Sequence, residues 1–73
     1  MYYVVVFRAR SETIRFSSLL TSLRVPSEII STPRLISASC SISVKIRENN
    51  LNLAKRLIVS NHFYTFIGIF ALD

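Results

Sequence analysis

The chain has 73 residues, of which 51% are hydrophobic, with nine Lys and Arg against four Asp and Glu for a net charge of +5. That length fits one domain over residues 1–73, and a chain so short buries only about 60% of its unfolded surface. A single cysteine and a single histidine exclude a disulfide framework and a structural zinc cage, which needs about four ligands. Support for the small core is therefore expected from association with another chain.

Tyr2 to Phe7 is rich in β-branched and aromatic residues and predicts a strand. Ser11 can cap a helix, and Phe16, Leu19, Leu20 and Leu23 recur at helical spacing up to about Arg24. Pro26 closes that segment, and Ser27 to Ser31 predicts a short second strand. Thr32-Pro33-Arg34 opens a connection that runs to about Ser39. From Ser41 the chain alternates, with Ser41, Ser43, Lys45 and Arg47 on a wet face and Ile42, Val44 and Ile46 on a dry one. Asn49 or Asn50 caps a second helix with an inward stripe of Leu51, Ala54, Leu57 and Ile58 and Leu53 at its edge. Asn61 is a natural left-handed terminator, and Tyr64 to Leu72 predicts the last strand.

The order β-α-β-β-α-β predicts an α+β, ferredoxin-like sandwich. Its four-stranded antiparallel sheet has order 4-1-3-2, with both helices on one face. The first and last strands are apolar in both parities, so an apolar patch is expected on the face without helices. Such patches mark interfaces, and a homodimer or another partner is expected there. No basic segment precedes the apolar N-terminus, which makes a poor signal peptide. The apolar run Phe63 to Leu72 is well short of the ~20 residues of a membrane helix. With one cysteine and no disulfide, these features predict a cytoplasmic protein.

The topology gathers Arg8, Arg10, Arg34, Cys40 and His62 at one end of the fold. Cysteine reacts as thiolate, which nearby cations and a helix N-terminus favour. Arg8, Arg10, Arg34 and the amides after Ser11 are suitable groups, and Ser37, Ser39, Ser41 and Ser43 could donate hydrogen bonds to sulfur. The same set could hold a small anion without chemistry. Cys40 also shares parity with Ile42, Val44 and Ile46, and a strand beginning at residue 39 would bury it under the helices as a small hydrophobe. Arg34 then reads as loop charge and His62 as a polar helix end.

Other chemistries lack their residues. The sole glycine, Gly68, cannot form a phosphate loop, and the four acids occur singly. A Cys-His-Asp set with His62 would need Asp73, at the wrong end of the last strand. The stretch from Ser39 to Ile46 has no aromatic for base stacking, which argues against RNA binding. The cations are scattered and read mostly as a solvated surface.

The run Thr32-Pro33-Arg34-Leu35-Ile36-Ser37-Ala38-Ser39-Cys40-Ser41 resembles the T-P-R-x-x-S-x-S-C-G segment of the selenium/sulfur carrier-like family of small bacterial proteins. The likeness extends over nearly the whole chain, from the Tyr-Val-Val-Val-Phe strand to the second helix. It implies a carrier, rather than a turnover enzyme, that holds a persulfide or selenosulfide on Cys40. Arg34, Ser37 and Ser39 match motif positions, donor and acceptor proteins are the implied partners, and no cofactor is implied. Ser41 stands where the family pattern has glycine, so the special backbone freedom of glycine is missing there. The alternative from the residues themselves is a non-catalytic interaction or small-anion-binding regulatory module with Cys40 structural.

Overall fold

A computed structural model describes residues 1–72. Six strand-favouring residues, Tyr2–Phe7, form β1, followed by α1 at Arg10–Ser22 and β2 at Glu28–Ser31. The strand β3 spans Ile42–Arg47, a 3-10 turn occupies Glu48–Asn50, α2 spans Leu51–Ser60 and β4 spans Phe66–Leu72. All pairings are antiparallel and the sheet order is β2-β3-β1-β4, the expected order read from its other edge.

Alternation along the strands divides the interior in two. Val5, Phe7, Val44 and Ile46 face the helices and pack with Phe16 and Leu20 of α1 and Ala54 of α2. Val4 and Val6 point to the other face, which carries no helix. That face is not bare. The connection between β2 and β3 folds back over it, and Ile36 and Cys40 pack with Val4, Val6, Ile30, Phe70 and Leu72. Val4 and Val6 are fully buried as a result, so the patch expected on this face is covered by the chain's own loop. Gly68 serves this cover: a Cβ there would stand 3.0 Å from the Phe70 ring.

Local chemistry shifts several boundaries. The cap of α1 is Ala9, not Ser11, because the Thr65 hydroxyl accepts the Ala9 amide and supplies from another element what a capping side chain would give locally. Asn50 precedes α2 without a side-chain cap bond. At the far end of α2 the left-handed residue is His62, with φ 53°, rather than Asn61. Asn61 instead turns its side-chain amide back to the Leu57 carbonyl at 2.9 Å. The final strand begins at Phe66, since the Tyr64 and Thr65 amides are taken by the Glu12 carboxylate.

The end of α1 carries a strained residue. The Val25 amide donates to Leu20 and the Arg24 amide to Thr21, the paired bonds of a Schellman motif. Arg24 sits at φ 60° to make them. A left-handed L-residue costs about 1–2 kcal/mol, part of which glycine gives back in chain entropy. Arg24→Gly is therefore expected to raise stability by about 0.5–1 kcal/mol, read as a higher urea midpoint; a lower midpoint would contradict this account of the cap.

Candidate functional site

The connection between Ser31 and Ile42 is built to fold over the sheet. Pro33 fixes its entry, and its carbonyl accepts the amides of Ile36 and Ser37 at 3.0 and 3.2 Å, closing a turn at residues 33–37. The Thr32 amide donates to the Ser41 carbonyl at 3.1 Å, which ties the two ends of the loop together. Beneath it, Ser43 is fully buried, and its hydroxyl shares a hydrogen bond with Thr32. Ser43 is therefore not on a wet face as its parity suggested, because the loop roofs that position.

Cys40 is the point where the loop meets the core. Its residue is 6% exposed and its thiol is free. Since β3 begins only at Ile42, Cys40 escapes the strand's alternation and turns to the helix-free face, beside Val4 and Val6. It is thus as buried as its parity allowed, but on the opposite side of the sheet. Ile36 packs beside it, whereas Leu35, at 102% exposure, points straight to solvent.

The remaining candidates form a polar and cationic rim. Ser37 and Ser39 share a hydrogen bond of 3.2 Å between their hydroxyls, and Ser39 and Ser41 are exposed. Arg34 stands exposed on the turn, Arg8 follows β1, and Arg10 opens α1, also exposed. The register Val5↔Val44 sets the end of β1 beside the start of β3, so Arg8 leaves the sheet at the end where the loop enters. Among the described residues the ion pairs are Met1–Glu48, Arg15–Glu12 and Lys45–Glu28, none of which uses these three arginines.

His62 is held elsewhere. Arg15 of α1 donates to the Asn61 and His62 carbonyls at 3.1 and 3.0 Å, fixing this residue against the helical layer. The guanidinium of Arg15 also stacks 3.9 Å above the Phe63 ring. The sheet stands between that layer and the cluster containing Cys40, and the two are not brought together. Among the described residues no group of three or more His, Cys, Asp or Glu side chains could hold a metal ion. Among the described residues, no helix is long and apolar enough to cross a membrane.

Two features lay beyond sequence reasoning. The folding of the loop onto the open face depends on Ile36 and Cys40 finding Val4 and Val6, and its one visible signal was the excess of apolar residues in β1. The Glu12–Arg15 clamp joins residues more than forty positions apart, with no local pattern to announce it.

Comparison with curated proteins gives no match, and comparison with solved structures gives none. A family model does match, over residues 2–66, which contain the whole loop and its cysteine. Its description is "Putative Se/S carrier protein-like", and the chain belongs to that family.

Proposed function

We propose that this protein is a sulfur or selenium carrier of ferredoxin-like architecture, loaded on Cys40. The observation that supports this reading best is the family match across residues 2–66, which includes the chain's sole thiol within the Thr32–Ser41 motif. The geometry agrees with the role. A persulfide is easily reduced by free thiols, and an apolar niche between Val4, Val6 and Ile36 would shelter it between encounters. Buried cysteines are inert, so loading and unloading require the loop at 33–41 to lift. That loop is held by a few backbone bonds and two apolar side chains, the kind of segment that opens locally at small cost.

In the open state Arg34, with Arg8 and Arg10, supplies positive charge to the thiolate, and Ser37, Ser39 and Ser41 supply hydroxyl donors. The thiolate attacks the outer sulfur of a donor protein's persulfide, the donor's S–S bond breaks, and the donor leaves as a thiolate. Cys40 then carries the persulfide, with no net oxidation or reduction. A selenosulfide arises by the same displacement on selenium. Release to an acceptor thiolate reverses these bonds. His62 has no part in the transfer. A donor and an acceptor protein are the partners, and the protein is a carrier rather than a turnover enzyme.

Mass spectrometry after incubation with a protein persulfide donor should show one added sulfur on Cys40, absent from Cys40→Ser. Absence of that adduct, with a control thiol loaded by the same donor, would sink the reading. The opening step has its own test. Trimming Ile36 to Ala weakens loop closure by about 1–2 kcal/mol, and about 1.4 kcal/mol is a tenfold change in an equilibrium. Alkylation of Cys40 in the folded protein should therefore quicken roughly tenfold in Ile36→Ala; an unchanged rate would mean that the thiol is reached without the loop opening.

The burial of Cys40 favours a second reading, an interaction or small-anion-binding module in which the thiol only fills space. In that case Cys40→Ala folds, retains its partner and loses nothing else.

A further inference from the structure

The two edges of the sheet are treated differently. Strand β2 is four residues long, carries Glu28 and lies between Pro26 and Pro33. Short length, charge and proline are the devices that keep a sheet edge from pairing with a stranger. Strand β4 is seven residues long, Phe66-Ile67-Gly68-Ile69-Phe70-Ala71-Leu72, with neither charge nor proline. Its one irregularity, a register shift opposite Val6 and Phe7, falls near its start and leaves Gly68–Leu72 in unbroken register with β1.

On an antiparallel edge strand, alternate residues turn their N–H and C=O groups away from the sheet. Among the described residues, no backbone bond outside the sheet ladders involves residues 66–72. The edge also gathers exposed apolar side chains: Phe66 and Ile67 on the strand and Tyr64 just before it, with Ala71 exposed further on. Charge selects the occupant. The chain is +5, and two copies meeting through most of its surface would bring like charges together. Along β4 they would bring none, and an antiparallel strand pair is self-complementary about a two-fold axis.

We infer that β4 pairs antiparallel with β4 of a second copy, joining the two sheets into one of eight strands. The covered face of the sheet, where an interface was expected from the sequence, is not required for this contact. The inference is independent of the carrier reading, and it supplies the association that so small a core calls for.

Amide hydrogen exchange and light scattering on the full chain, from low micromolar to submillimolar concentration, test it together. The expected results are a mass rising to that of two chains and protection of alternate β4 amides that grows by about tenfold across the range. The double substitution Ile67→Lys/Ala71→Lys should abolish both changes, whereas Tyr2→Lys, on the helix-free face, should leave both in place. A single-chain mass throughout would overturn the inference, as would concentration-dependent protection that spares β4 and falls on another element. Because the exchange pattern is read on the unaltered protein, the test stands even where the lysine variant unfolds.

Discussion

Phe7→Ala is expected to destabilise the protein by about 3–5 kcal/mol, the usual cost of removing a fully buried phenylalanine. Phe7 is the last residue of β1 and is completely buried. Its ring lies 5.4 Å from that of Phe16, 5.0 Å from Phe63 and 5.8 Å from Phe66, each tilted. Phe16 and Phe63 meet edge to face at 5.6 Å. One side chain thus joins β1, α1, the turn after α2 and the start of β4, and tilted aromatic pairs add to the area they bury. A chain of this size has a total stability of only about 4–11 kcal/mol. Removing Phe7 therefore consumes much or all of it, and the variant should be largely unfolded by circular dichroism at ordinary temperature. Leu35→Ala is the control. Its side chain is fully solvated, and the substitution should change the urea midpoint little. A folded Phe7→Ala with a midpoint near that of the parent would mean that the four rings are not a shared core.

This cluster also shows where sequence reading succeeds and where it stops. Periodicity revealed β1, the stripe Phe16–Leu20 of α1, and the inward set Val44 and Ile46 of β3, because each obeys a local period of two or 3.6. The strand order followed from chirality and connection length. Residues 7, 16, 63 and 66, however, meet only through the tertiary fold, and no window of sequence contains them. The same holds for Thr65, which replaces the local cap of α1, and so displaces the helix cap from Ser11 to Ala9. At the candidate site, the motif singled out Cys40, Arg34, Ser37 and Ser39, and topology gave the end of the sheet at which the loop lies. The face was not legible. It turned on whether β3 starts at residue 39 or 42, and the later start goes with the Thr32–Ser41 backbone bond and the packing of Ile36 against the cluster of Val4, Val6 and Cys40. The placement of His62 was equally hidden, because its position is dictated by Arg15, on another helix.

Glu12 gives the second large effect. Its carboxylate accepts the Tyr64 amide at 2.9 Å, the Thr65 amide at 2.7 Å and the Thr65 hydroxyl at 2.6 Å, fastening the start of β4 to the first turn of α1. Burial pushes the Glu12 carboxyl up, but the bonds from Thr65 and Tyr64 and the charge of Arg15 together outweigh it and hold the group below the ordinary carboxylate range. Hydrogen bonds to a charged acceptor contribute about 1.5–3 kcal/mol each before shared losses. Glu12→Gln keeps the shape but turns an amide NH2 toward backbone donors, and a loss of about 2–3 kcal/mol is expected at neutral pH. The sign of the pH dependence follows from the lowered value. A carboxyl that binds its proton less readily when folded stabilises the fold above its unfolded pKa, about 4.3. That contribution fades as the pH falls from there through the folded value, because the native state must then take up a proton it resists. Urea midpoints of the two proteins should consequently lie far apart at neutral pH and draw together in acid, with the parent losing stability more steeply. An equal separation at both pH values would mean that Glu12 supports the fold by shape alone and that its charge contributes nothing to holding β4 against α1.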